Sequence, residues 1–139
     1  MHGMFGSLSN LAGLARVIDG DHRVISVDLR NHGDSPHEEA MDIPLMAADI
    51  IELMDDLRLP SAVLIGHSLG GKVAMQVALN HPQRVAGLVV GDISPVQYPQ
   101  TNNVLALDAL EALSQQQITS RAAANETMGR YIDEPVTKG

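Results

Sequence analysis

The sequence predicts an α/β fold, a parallel sheet with helices against its faces. Three observations carry that expectation. Helix-periodic segments alternate with short apolar runs in the order helix, strand, helix, strand, helix, strand, which a parallel sheet covered on both faces satisfies. Two of those runs, Ala62 to Gly66 and Val85 to Ile93, are apolar, as strands of a sheet covered on both faces are. One of them, Ala62 to Gly66, passes through a glycine-rich turn straight into a helix. In sheets of this kind active groups gather beyond the carboxyl ends of the strands, and Asp28, Ser68 and Asp92 all fall there.

Each element has its own local reason. Residues 2–7, His2-Gly3-Met4-Phe5-Gly6-Ser7, form a glycine-bearing loop. Leu11, Leu14, Ala15 and Ile18 share one face of a helix from about Ser9 to Ile18. Gly20-Asp21 makes a turn, and the β-branched stretch Arg23 to Leu29 reads as a strand. A polar loop, Arg30 to Pro36, follows. Asp42 caps the next helix and Pro44 suits its first turn; Met46, Ile50, Leu53, Met54 and Leu57 face inward along it. After Leu59-Pro60-Ser61 comes the strand at 62–66, then a helix in which Leu69, Val73, Ala74, Val77 and Ala78 recur at helical spacing. His81-Pro82-Gln83-Arg84 breaks the chain before a last apolar strand, Val85 to Ile93. Beyond Pro95 the residues from Tyr98 to Asn103 read as loop. Val104 to Leu113 and Thr119 to Ile132 read as two short helices, with Thr119 or Ser120 capping the second. The domain organisation expected is a sheet-bearing core at 1–95 and a helical segment at 96–139.

The chemistry lies in Gly66-His67-Ser68-Leu69-Gly70, a G-x-S-x-G pattern between strand and helix. A serine hydroxyl is a weak nucleophile unless it stands clear of the backbone and a base takes its proton. A sharp strand-to-helix turn lifts Ser68 clear, and the crowding this creates calls for glycine at 66 and 70. The Leu69 amide, at the helix start, is aimed where negative charge would develop on a substrate oxygen. A phosphate-cradling loop, G-x-x-x-x-G-K-[ST], also matches Gly66 through Lys72, but position 73 is valine and offers no hydroxyl to a magnesium ion. A bare strand-to-helix turn that happens to contain serine is the remaining alternative for this pattern taken alone.

Bulk properties narrow the rest. The 139 residues suffice for one core. With seven methionines, two tyrosines, one phenylalanine and no tryptophan, that core is aliphatic. A net charge of -8 without a basic cluster argues against nucleic acid or an anionic membrane as partner. Without cysteine there are no disulfides or thiolate metal sites, which fits a reducing compartment. No apolar run approaches the ~20 residues of a membrane span, and the first ten residues lack the pattern of a signal peptide. The location expected is cytoplasmic.

Four segments occur together and in order: His2-Gly3-Met4-Phe5-Gly6-Ser7, Asp28-Leu29-Arg30-Asn31-His32-Gly33-Asp34-Ser35-Pro36, Gly66-His67-Ser68-Leu69-Gly70-Gly71-Lys72 and Asp92-Ile93-Ser94-Pro95. In these the chain resembles the α/β-hydrolase superfamily, and within it the small bacterial esterases and mitochondrial abhydrolase-domain proteins. The resemblance covers about the first hundred residues well and the tail loosely. It implies a partial α/β-hydrolase fold plus the start of a helical cap, and a serine esterase acting on a small-molecule ester or thioester with no metal or organic cofactor. Ser68 matches the nucleophile. Leu69 and Met4 match the two residues whose backbone amides form the oxyanion hole. Asp92 matches an acid that some relatives carry after this strand to orient the catalytic histidine; others carry it one strand later, and an Asx-type turn or cap would explain Asp92 equally.

In this fold the chain order is nucleophile, acid, histidine, yet none of the six histidines follows Asp92. By the resemblance His2 holds the oxyanion loop and His32 braces its own loop. His67 is expected to turn away and pack beside the sheet, and His22, His37 and His81 to lie on the surface. The family also places an apolar strand directly before His-Gly, where Met1 stands. The expectation is a chain shortened at both ends, with three strands, marginal stability and no turnover by itself. A second function class, a non-catalytic binding or scaffold protein on the same fold, stays open beside the esterase.

Overall fold

The computed structural model describes residues 1–96, 101–116 and 120–130. They form two compact units, Met1–Pro95 and Val96–Gly139. The first is an α/β unit, a parallel sheet flanked by helices in the manner of a partial α/β-hydrolase fold. A 3-10 turn at Leu8–Leu11 leads into α1, Ala12–Ile18; then come α2, Ile43–Asp56, β1, Ala62–His67, α3, Leu69–Asn80, a second 3-10 turn, Pro82–Arg84, and β2, Val85–Gly91.

The ends of α2 are set by local chemistry. The Asp42 carboxylate accepts the Leu45 N–H at 2.7 Å, satisfying one of the donors that the first turn leaves open, and a proline sits in that turn. Met46, Ala47, Ile50 and Met54 bury one face. They meet Val73, Ala74 and Val77 of α3, with Leu29 and Leu64, to make the aliphatic core.

β1 and β2 pair in parallel, Leu64 opposite Leu88 and Gly66 opposite Val90. The third strand expected, Arg23 to Leu29, is corrected: this stretch runs without regular secondary structure and joins no sheet. Strand propensity needs a neighbour to pair with, and this stretch lines a cavity shared with β1 rather than bonding to it. On β1 itself the Met1 amine donates to the Ile65 carbonyl at 2.9 Å and the Met1 carbonyl accepts the His67 N–H at 3.1 Å. An apolar cavity of about 450 Å³ separates residues 23–27 from residues 62–65. Leu11, Leu14, Ala15 and Ile18, expected on one helix face, all line this cavity, and none of them is buried. Leu53 and Leu57 of α2 line it as well.

The second unit holds α4, Thr101–Ser114, and α5, Arg121–Met128. The Ser120 hydroxyl accepts the Ala123 N–H and caps α5. α4 begins earlier than Val104 and takes in residues expected to be loop; Tyr98 and Ile132 lie outside the described residues. Ala109 is fully buried, and the Thr127 hydroxyl donates to Gln116 Oε1 at 3.2 Å. Among the described residues no helix is long and apolar enough to cross a membrane.

Candidate active site

Ser68 sits at the junction of β1 and α3 with φ 49° and ψ −114°, outside the regions L-residues ordinarily populate. Neighbouring backbone enforces the conformation. A Cβ on Gly66 would fall on the Gly70 carbonyl, and one on Gly70 would come within 2.5 Å of the Met1 oxygen and 2.6 Å of the His2 oxygen. These close approaches account for both glycines. The Ser68 N–H donates to the Gly91 carbonyl at 2.9 Å, and its own carbonyl accepts from the Lys72 N–H at 3.1 Å. Among the described residues, no hydrogen bond engages Ser68 Oγ.

The loop at residues 2–6 docks on this turn. The Gly70 N–H donates to the His2 carbonyl at 3.0 Å, and the Gly6 N–H closes a turn onto the Gly3 carbonyl at 3.1 Å. Gly3 lies so close that an added Cβ would stand 2.9 Å from His67 Nδ1 and 3.3 Å from Ser68 Cβ. Among the described residues, nothing takes up the Met4 amide. Leu69 is the first residue of α3, so its N–H is one of the donors a helix leaves open.

A buried polar cluster holds this loop. His2 Nε2 accepts the Leu29 N–H at 3.0 Å, which leaves Nδ1 to carry the proton and donate to the Gly3 carbonyl at 2.7 Å. Burial pulls the His2 pKa below its ordinary value, against an upward pull from the Gly3 carbonyl. Asp28, 3.9 Å from His2 Nε2, accepts the Leu8 N–H at 2.6 Å and the Asp34 N–H at 3.1 Å. Those two amides hold its carboxyl below the usual range. His32 is buried with its ring centroid 5.0 Å from that of His2 and its Nδ1 2.8 Å from the Arg30 carbonyl.

Asp92 follows β2 at φ 57°, and its side chain is exposed. The structure brings it to His67, whose Nε2 is 3.5 Å from Asp92 Oδ2. This corrects the expectation for His67: rather than turning away, its half-exposed ring lies between Gly3 and Asp92. His22 and His37 are exposed and His81 half-buried. Sequence reasoning gave Asp28 no role beyond its position at a strand end; the signal it carried was a carboxylate followed by Gly33-Asp34, a turn that folds amides back onto it. Among the described residues no cluster of histidine and carboxylate side chains could hold a metal ion.

A family model described as "alpha/beta hydrolase fold" matches residues 1–134. Esterase YbfF of Escherichia coli (strain K12) is 39% identical over 134 residues, which are 96% of this chain and 53% of that protein. The sn-1-specific diacylglycerol lipase ABHD11 of Xenopus laevis is 39% identical over 141 residues, 96% of this chain and 45% of that protein. A solved marine microorganism esterase superposes with TM-score 0.85 at 35% identity, covering 99% of this chain and 55% of the other. The chain thus spans about half the length of the curated relatives it matches.

Proposed function

Because the chain belongs to the alpha/beta-hydrolase fold family, we propose that it carries the nucleophile half of a serine esterase. Ser68 Oγ attacks the carbonyl carbon of a carboxylic ester or thioester. The carbonyl π pair moves onto oxygen, and the Met4 and Leu69 amides stabilise that oxyanion. Collapse expels the alkoxide or thiolate, protonated as it leaves, and forms an acyl-serine. Water then adds to the acyl carbon and releases the acid, returning the proton to Ser68. The observation that carries this reading is the strained backbone of Ser68, whose hydroxyl no described residue binds, with the open Leu69 amide next to it at the start of α3. Strain of this kind persists where surrounding structure over-determines it, and that is characteristic of functional sites.

Asp92 is assigned as the acid that orients the histidine, with His67 as its neighbour in this chain. The histidine itself follows the acid in this fold, and the sequence has none after Asp92. We therefore propose turnover only where such a base is supplied, the part of the reaction assigned to these residues being the nucleophile and the oxyanion amides. Carboxylic esters are the bond class shared by the names of the two relatives above, and the Arg30-Asn31-His32-Gly33 loop supports placement among the small bacterial esterases and abhydrolase-domain proteins.

A fluorophosphonate probe tests the assignment. It is expected to label Ser68 in the full-length polypeptide, and Ser68→Ala is expected to abolish labelling. A full-length protein that stays unlabelled overturns the esterase reading and favours a non-catalytic binding protein.

A further inference from the structure

Phe5 is the chain's one phenylalanine, and it stands where folding gives it no reason to be. It lies in the turn that the Gly6 N–H closes onto the Gly3 carbonyl, with φ 60°. A turn with left-handed backbone at its third residue favours glycine there, and a bulky side chain in that region is an outlier. The residue is also 56% exposed. The ring thus strains its turn and takes little of its apolar area out of water.

Among the described residues five other than glycine have positive φ. Asn31 and Asp92 are of the types that tolerate it. Arg58 ends α2 in a Schellman pair, its own N–H on the Asp55 carbonyl and that of Leu59 on the Met54 carbonyl. Phe5 and Ser68 remain without a local reason, and they belong to the two segments that touch where a Cβ on Gly3 would stand 3.3 Å from Ser68 Cβ. Strain held at such a place is characteristic of functional sites. The surroundings are apolar. Residues 3–8 carry no charged side chain. Met4 and Leu69, whose amides the mechanism above uses, add apolar side chains that are only half-buried.

We propose that Phe5 is a specificity-determining residue whose ring receives the hydrocarbon group of the ester, so that the substrate class is apolar esters. This rests on the esterase reading of Ser68. The ring starts one residue from Met4, about 3.8 Å along the chain, beside the amide assigned to the oxyanion. A hydrocarbon chain laid on it takes both surfaces out of water. The bound substrate then supplies the apolar contact that the fold withholds from Phe5.

A single phenylalanine makes the test direct, because 4-fluorophenylalanine incorporated into the chain reports on Phe5 alone. Methyl acetate, methyl hexanoate and pentyl acetate are titrated against it, the last two being isomers with the hydrocarbon on the acyl and on the alcohol side. A fully buried methylene is worth about fourfold in affinity. Four added methylenes, half covered, are expected to tighten binding by at least about tenfold, and the isomer that gains names the side of the ester that Phe5 reads. Binding to variants is followed at the Leu69 amide. Phe5→Gly suits φ 60° and is expected to keep or raise the urea midpoint while binding all three esters alike; Phe5→Leu is expected to keep the preference. A preference that survives Phe5→Gly overturns the proposal, as does equal binding of the three esters by the unaltered chain. A lowered urea midpoint in Phe5→Gly overturns it in favour of a packing role, and a fluorine shift that follows protein concentration alone, in favour of a second copy. In the full-length polypeptide, Phe5→Gly is expected to cut the ratio of labelling rates by octyl and ethyl fluorophosphonates at least about tenfold. An unchanged ratio overturns this proposal alone, whereas no labelling at all overturns the esterase reading with it.

Discussion

The backbone at Ser68 makes a stability prediction whose sign is unusual. With φ 49° and ψ −114°, a residue bearing a Cβ is strained by about 1–3 kcal/mol. Replacing Ser68 by alanine keeps the Cβ and therefore the strain; replacing it by glycine removes both. Glycine returns about 0.5–1 kcal/mol of that gain because its unfolded chain is freer. Ser68→Gly is thus expected to exceed Ser68→Ala in stability by about 1 kcal/mol, the centre of a difference between those two terms that spans about 0–2.5 kcal/mol. At a urea slope of about 1–3 kcal/mol per molar the midpoint rises by about half a molar. Urea denaturation followed by circular dichroism reads it. Ala78→Gly, within α3, is the control and is expected to cost about 1 kcal/mol in the opposite direction. If Ser68→Gly is no more stable than Ser68→Ala while the control behaves normally, the turn at Ser68 is relaxed in solution and the strain argument fails.

Two further predictions concern the docked loop. In Gly70→Ala the new Cβ meets two backbone oxygens, of Met1 and His2, that cannot swing aside. Overpacking of about 1–3 kcal/mol and a hydrogen bond worth about 1 kcal/mol outweigh the ~1 kcal/mol that alanine gains within a helix, so a net loss of about 1–3 kcal/mol is expected in urea denaturation; unchanged stability would show that residues 1–2 do not sit on α3. The second is acid lability. The Met1 amine, His2 and Asp28 all have folded pKa values below their ordinary 8.0, 6.5 and 3.8. For each, the unfolded chain takes up the proton first as pH falls, so stability is complete above 8.0, declines below it, declines further below 6.5 and again below 3.8. Urea midpoints across that range measure it, and His2→Gln is expected to remove the step that begins at 6.5; a midpoint that rises on acidification refutes the assignment.

What could be read in the sequence was what short-range chemistry decides. The cap at Asp42, the aliphatic face of α2 and the strand–turn–helix around Ser68 depend on residues within a few positions of one another, and the pattern 66–70 states its own reason, because only glycine tolerates the contacts found there. The segment 23–29 was misread for the opposite reason. Its composition is that of a strand, but a strand is a pair, and its partner's identity is written nowhere in the segment. His67 was misread for a related reason: side-chain direction at a sharp turn follows from the bend, and the contact to Asp92 joins residues that periodicity treats separately. The Asp28 cluster went unrecognised because its donors, Leu8 and Asp34, come from segments on either side of it in the chain.

The strain at Ser68 and the docking of residues 1–3 on β1 and α3 are two views of one constraint. A turn so far from ordinary backbone geometry survives only if its neighbours cannot relax. On one side Gly91 fixes the Ser68 amide; on the other, Met1 fixes His67 and His2 fixes Gly70. The first of these anchors belongs to a paired strand, β2. The second rests on Met1, tied by an amine whose charged form burial disfavours. The weaker anchor therefore sets how firmly the elbow is held, and it is also the one joined through Gly3 to Met4. Reinforcing the Met1 contacts should sharpen the turn at Ser68 and the loop at residues 2–6 together, while loosening them should free both, because one short stretch of backbone positions each of them.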